Sequence, residues 1–217
     1  MERICLYLFF HLSMAMCCLC GKSINMAHAA ESPQYTVISS ESDFEIRLYK
    51  ESSWMSSLVV GGTSFEEATK NGFHRLYQYL HGANMNSSKL EITAPVLTRI
   101  APSSQGNNYT VRLYVPNKYQ DKPPQPNPEL KLQLAKWGTR CIAVRKFTGF
   151  AKDDNINKET EALVSSLKKQ LPGNSTTIVK NFYTIAQYNS SSERMGRLNE
   201  VWIKVLGLAA EGCPPSQ

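Results

Sequence analysis

Two features of the sequence point to an α+β domain. Its β-rich runs cluster instead of alternating strictly with helices, and the order strand, helix, strand, strand occurs twice, on either side of a proline-rich stretch. The repetition implies an internal duplication, two βαββ units whose strands form a largely antiparallel, strongly curved sheet with two helices packed on it. At 217 residues, with 42% hydrophobic and 19% charged content, the chain is sized for one domain with one good core, and its composition excludes a disordered or fibrous protein.

Residues 43–49 alternate apolar and polar side chains, and Trp54 to Val60 forms a second β-rich run ending in Gly61-Gly62, so two strands and a turn open the domain. Ser64 then precedes Phe65 with Glu67 three residues on. This is a capping box, whose hydroxyl and carboxylate satisfy backbone N–H groups left free at a helix start. The spacing predicts a helix over 65–81, in which Phe65, Ala68, Gly72, Leu76, Tyr79 and Leu80 share the side that packs on the sheet. Ile92 to Ile100, broken early by Pro95, and Tyr109 to Val115 read as strands. The five prolines from Pro116 to Pro128 show no periodicity and make an extended loop between the two halves. Leu130 to Leu134 and Cys141 to Phe147 are further strands. Leu163, Val164, Leu167 and Leu171 mark a second amphipathic helix, stopped by Pro172-Gly173, and Phe182 to Tyr188 and Glu200 to Val205 are the last strands.

The N-terminus stands apart from this fold. Arg3 precedes apolar runs from Ile4 to Phe10 and from Leu12 to Cys20, and Ala27-His28-Ala29 follows, the layout of a secretory signal peptide. The expected organisation is a signal peptide over residues 1–30, a domain over 31–205 and a C-terminal tail over 206–217. An uncleaved anchor is the alternative, although the run reaches about 17 residues only with His11 and Ser13 counted inside it, short of the span of about 20 that a bilayer needs. No later segment approaches that length. Loss of Arg3, Lys22 and Glu2 with the leader takes the net charge from +6 to +5, and the remaining cations are scattered singly, which argues against a nucleic-acid footprint and leaves an anionic small ligand open.

Four of the six cysteines lie in the leader, leaving Cys141 and Cys213. Two thiols make no structural zinc site, so no structural metal is expected. In an oxidising compartment they either pair, tying the tail to a strand, or leave Cys141 buried and Cys213 loose. Four N-x-[ST] sequons, at Asn86, Asn108, Asn174 and Asn189, agree with a secreted glycoprotein.

Several separated stretches then carry a family resemblance. They are Phe44-Glu45-Ile46-Arg47 with Tyr49, Gly72-Phe73 with Arg75-Leu76 and Tyr79, Lys89 with Thr93-Ala94-Pro95-Val96, and Tyr114-Val115-Pro116 with Pro123-Pro124 and Pro126. Ala143-Val144-Arg145 with Phe147 and Gly149, Tyr188-Asn189-Ser190, and Arg197 with Asn199-Glu200-Val201-Trp202 complete the set. In this order across residues 35–203 the chain resembles the SOUL/heme-binding protein family, nearest its plant branch. The resemblance implies a distorted β-barrel of two βαββ halves, with a tetrapyrrole in a surface groove beside the first helix and the loop before the last strand. It implies binding and transport or buffering of heme without turnover.

A heme needs apolar surface, cations for two carboxylates and, optionally, an axial ligand. On the first helix Lys70, His74, Tyr77 and His81 form one exposed stripe opposite the core face. Any surface helix carries a polar stripe, so the resemblance adds the weight: Lys70 falls where family members place a basic residue near the porphyrin, whereas Gln78 replaces a lysine found in some. The two histidines, about 10.5 Å apart in helix rise, cannot ligate one iron together, and mid-helix His74 is the favoured single ligand. The histidine some animal members carry in the first strand is Leu48 here. Arg194 and Arg197, in the loop Ser190 to Arg197, offer guanidinium forks to carboxylates, while Arg197 beside Asn199-Glu200 equally suits bracing the loop. Glu193 departs from the basic residue of some relatives and opposes a propionate unless it pairs with Arg194. Neither Gly-x-Ser-x-Gly, His-Glu-x-x-His nor a phosphate loop is present, so no enzyme is expected. The alternatives are a secreted interaction module that offers Pro116 to Pro128 to a protein partner and, below that, a hydrolase.

Overall fold

A computed structural model describes residues 30–62, 64–104, 106–171, 177–179, 181–189, Glu193, 195–208, Ala210 and 212–215. The leader up to residue 29, Pro172-Gly173, Asn174 and Arg194 lie outside the described residues. The strands are β1 (Tyr35–Ser40), β2 (Glu45–Tyr49), β3 (Ser52–Gly62), β4 (Val96–Ser103), β5 (Gly106–Tyr114), β6 (Leu132–Trp137), β7 (Arg140–Thr148), β8 (Thr177–Ile178), β9 (Tyr183–Gln187) and β10 (Leu198–Leu206); the helices are α1 (Phe65–Leu80) and α2 (Asp153–Gln170). All pairings are antiparallel, in the order β1-β2-β7-β10-β9-β4-β5-β3-β6 with β8 on β10.

That order shows both the duplication and the curl. The units β3-α1-β4-β5 and β7-α2-β9-β10 meet where β4 pairs with β9, and the strands that precede them are exchanged: β2 pairs with β7, and β6 pairs with β3. β6 is one edge of the sheet and β7 is third from the other edge, yet only Gly138 and Thr139 join them. Two residues span so little that the ends of the sheet have to approach each other, and the sheet curls into a half-barrel.

Side chains alternate between the two faces of this sheet. On the helix-bearing face, α1 covers a cluster with Met55, Val111 and Leu113, while α2 covers Ile46, Ala143, Ile185 and Val201. The other face buries Tyr49, Trp54, Leu97, Tyr114, Ile142 and Trp202 with no helix over them, so it is the inner, concave face.

Ser64 caps α1, its hydroxyl accepting from Glu67 N at 3.1 Å, and the Asp153 carboxylate at the head of α2 accepts from Phe65 N at 2.9 Å, which ties the two helix starts together. The six residues assigned to the packed side of α1 are its buried residues. Gly72 lets the helix approach β5, because a Cβ there would collide with Val111.

Several details differ from the sequence reading. β4 begins only at Val96, after Pro95, which has no N–H to give a ladder. The strand carrying Leu48 is the second, because β1 precedes it. The proline segment is not a free loop: it is strapped across the end of α1, where Tyr79 Oη donates to Pro124 O at 2.9 Å, Met85 N to Gln125 O at 2.8 Å and Asn127 N to Ala83 O at 3.2 Å. Cys141 and Cys213 form a disulfide that ties the tail to β7. The tail also covers Leu48, whose Cδ2 lies 2.8 Å from where a Cβ on Gly212 would stand.

Candidate functional site

The exposed side of α1 carries an open, shallow groove of about 430 Å³ lined by Lys70, Asn71, Phe73, His74 and Tyr77, all on the helix itself. Helical spacing makes the lining: Lys70, Phe73, His74 and Tyr77 fall three and four residues apart, so their side chains stand over adjacent turns. The Phe73 and Tyr77 rings lie 6.1 Å apart between centroids, and Tyr77 is stacked on His81 at 3.8 Å. The groove therefore offers one ammonium, two aromatic faces and an imidazole. Its volume lies in the range of small-molecule sites. Asn71 and Phe73 were missed in the sequence; their position between stripe residues on the same turns was the available signal.

The two imidazoles are not equivalent. Gln78 Nε2 lies 3.2 Å from His74 Nε2, and since an amide nitrogen only donates, His74 Nε2 accepts and its lone pair is engaged. His81 Nδ1 lies 2.9 Å from Tyr77 O, and since a carbonyl only accepts, that nitrogen carries the proton and Nε2 keeps its lone pair. His81 does not line the groove. For His74 to ligate a metal through Nε2, the exposed Gln78 bond has to break, at a cost of about 1 kcal/mol.

The structure brings Lys70, His74 and Tyr77 together with Gln78 beside them, and it places Arg197 elsewhere. Arg197 is 5% exposed; it donates to Glu193 O at 2.7 Å and Asn189 O at 3.4 Å, and its guanidinium lies 4.5 Å from the Phe150 ring centroid. Its fork is directed at its own loop, the bracing arrangement. Glu193 accepts from Asn189 Nδ2 at 2.8 Å.

Residues from the first and last of the matched stretches meet on the concave face. Arg47, 1% exposed, makes a two-pronged contact with Glu200, 2% exposed, at 2.9 and 3.2 Å, and a further one with Glu45 at 2.7 Å. Tyr188 Oη and Trp202 Nε1 both donate to Glu200 at 2.7 Å, and Arg47 donates to Tyr49 at 3.2 Å. Burial by itself would lower the Arg47 guanidinium, but Glu200 and Tyr49 more than reverse it and hold it above its ordinary value. Burial raises the phenols of Tyr49 and Tyr188. Charges so thoroughly paired hold strands from both halves of the chain together.

Among the described residues no group of three or more His, Cys, Asp or Glu side chains gathers as metal ligands, and no helix is long and apolar enough to cross a membrane. Comparison with solved structures shows the fold alone: the chain resembles a hydrolase from Listeria innocua with TM-score 0.51 at 7% identity, covering 75% of this chain and 91% of that one, and the EcmrR C-terminal domain with TM-score 0.50 at 10% identity, covering 79% and 97%. In sequence it is 30% identical to heme-binding protein 2 of Mus musculus over 163 residues, 74% of this chain and 77% of that protein. It is 30% identical to heme-binding protein 1 of Xenopus laevis over 162 residues, 73% and 82% of the two chains. Residues 30–204 match the family described as SOUL heme-binding protein, and with this fold beneath the match the chain belongs to the SOUL heme-binding protein family.

Proposed function

We propose that this protein binds heme or a related tetrapyrrole without turning it over, in the groove along α1. The observation that carries the reading is an aromatic-lined groove with one ammonium and one imidazole, on the exposed face of a helix in a chain of this family. Phe73 and Tyr77 lie against the ring and Lys70 reaches a propionate. Apolar contact dominates: removing about 200 Å² of porphyrin face from water contributes about 5 kcal/mol, against about 0 to 1 kcal/mol for one exposed ion pair. His74 is a replaceable iron ligand at most, and the protein buffers or transports the tetrapyrrole. Titration with hemin, followed by the Soret band, tests this: a saturable shift at one equivalent is expected, and iron-free protoporphyrin should bind nearly as well. A linear, unsaturated Soret response would refute the reading.

The protein is also proposed to be secreted and glycosylated. The leader-like start, the sequons and the Cys141–Cys213 disulfide support this. Asn86 is the favoured acceptor, because it is exposed in the turn after α1, whereas Asn189 spends its amide on Glu193 and Leu198 N. Glycosidase treatment of the secreted protein should change its gel mobility, and Asn86→Gln should remove most of that change; unaltered mobility of wild type would refute it.

A further inference from the structure

The groove on α1 leaves a second concavity unexplained. It lies on the concave face, about 180 Å³ in volume, and four cations from four strands surround it: Arg99, Arg112, Arg140 and Lys204. Strand alternation puts them there. Arg99 stands two residues after Leu97, Arg112 two before Tyr114, Arg140 two before Ile142 and Lys204 two after Trp202, and all four of those apolar residues belong to the concave core.

The guanidiniums are held in place. Arg99 lies over Phe182 at 3.9 Å and Arg140 over Trp137 at 4.1 Å. Arg140 Nε donates to Gly138 O at 3.1 Å and Arg112 Nε to Ser56 Oγ at 3.2 Å. Among the described residues none of the four cations has an ion-pair partner, and the buried Nε of Arg99 has no hydrogen-bond acceptor. Burial pushes the Arg112 guanidinium down to about 10, with repulsion from Arg99 and Arg140 adding to it, and burial takes Arg140 to about 10 as well. Arg112 and Arg140 remain charged at neutral pH, and the cavity gathers positive charge with no ion-pair partner among the described residues.

The chemistry of the missing counter-charge follows from size and donors. At about 180 Å³ the space falls below the range of drug-sized sites and is too small for a porphyrin. The arginines cover the aromatic faces, so what remains for a ligand is N–H donors arriving from several strands. A planar carboxylate presents its two oxygens in one plane, whereas a tetrahedral phosphate presents oxygens to all sides and suits forks converging from different directions. We propose that this cavity is a phosphate-binding site, in which Arg99, Arg112 and Arg140 hold one phosphate group, free or as the head of a small ester, and Lys204 supplies a fourth charge.

Calorimetric titration of the full chain with inorganic phosphate and with glycerol phosphate, at constant ionic strength, tests the proposal. One equivalent of either is expected to bind, and binding of only one of the two identifies the source as the free anion or the ester. Arg99→Gln and Arg140→Gln should each weaken binding about tenfold or more, the value of a charge-assisted hydrogen bond, while exposed Lys136→Gln leaves it unchanged. Arg112→Met guards against a mere folding defect: it should raise Tm without phosphate, by removing a half-buried charge that has no ion-pair partner among the described residues, and abolish the rise in Tm that phosphate gives wild type. Three results would overturn the proposal: no saturable binding, equal weakening by Lys136→Gln, or citrate binding as tightly as phosphate.

Discussion

Replacing Cys213 by Ser isolates what the disulfide contributes. The bond closes a loop of 72 residues between β7 and the tail, and in the chain-entropy picture a loop of that length removes enough freedom from the unfolded chain to stabilise the fold by about 4 kcal/mol. Cys141 is fully buried; left as a free thiol, it packs as a small hydrophobe and opens no cavity. Cys141→Ser would add the cost of a buried hydroxyl and is the less clean perturbation. Besides the disulfide, Gly207 N donates to Pro214 O at 3.0 Å, Leu208 packs against the core and Gly212 rests on Leu48, so the tail is part of the fold and the effect should appear as lost global stability. For a protein of this size about 4 kcal/mol corresponds to a fall in Tm of about 8 to 16 °C. Thermal and urea unfolding of the oxidised protein, the reduced protein and Cys213→Ser should give one stable form and two that match each other. Melting of all three within about 2 °C would refute the entropic argument.

Glu200→Gln should cost about 3 to 5 kcal/mol in urea unfolding, because it leaves buried Arg47 with Glu45 as its one carboxylate, and the half-buried position of Glu45 weakens that pair; a loss below about 1 kcal/mol would show that the network is not fully buried. The Tyr79 phenol, raised to about 12 by burial and then by Tyr119, is favoured in its protonated form by folding, so its contribution is whole below about pH 10 and is lost as pH rises through 12. Alkaline unfolding followed by tyrosinate absorbance should set in over that window and be blunted in Tyr79→Phe. Lys70→Ala should weaken hemin binding by no more than several-fold, and His74→Ala should change hemin and protoporphyrin affinities alike; a loss of about a hundredfold for hemin alone in the histidine variant would establish an axial ligand.

What could be read in the sequence was what local periodicity encodes. The face of α1, its cap and the stripe Lys70, His74, Tyr77 follow from a 3.6-residue repeat and one capping residue, and the groove stands where the stripe does. β1 was missed because Tyr35–Ser40 is an edge strand with mostly exposed side chains and no clear alternation. The exchange of β2 and β6 between the halves was hidden because pairing partners lie far apart in the chain, as do Arg47 and Glu200, separated by 153 residues. The fate of Arg197 was undecided for a different reason: whether a guanidinium reaches a groove or turns into its own loop depends on the carbonyls that loop presents. Gln78 beside His74 was visible as an i, i+4 neighbour, but the competition for the imidazole lone pair needed the contact itself.

The concave face shows the same residue type in two roles, distinguished by what stands opposite. A buried guanidinium is costly unless it is paired. Arg47 is met by Glu200 and Glu45, and its charge is consumed in holding strands from both halves of the chain together. Arg99 faces Thr184 across the β4–β9 pairing, on the same sheet and the same face. Directly opposed side chains in such a pairing stand about 5 Å apart at Cβ, within reach of a carboxylate. A Glu in place of Thr184 would therefore neutralise Arg99 much as Glu200 neutralises Arg47, so the fold could supply the counter-charge and this chain does not. The omission recurs around the cavity, with Arg112 and Arg140 repelling one another and neither in an ion pair among the described residues. Three independent strands leaving the same charge uncompensated at one point is the pattern of a site completed by a ligand, whereas a structural charge cluster would be closed internally, as it is at Arg47.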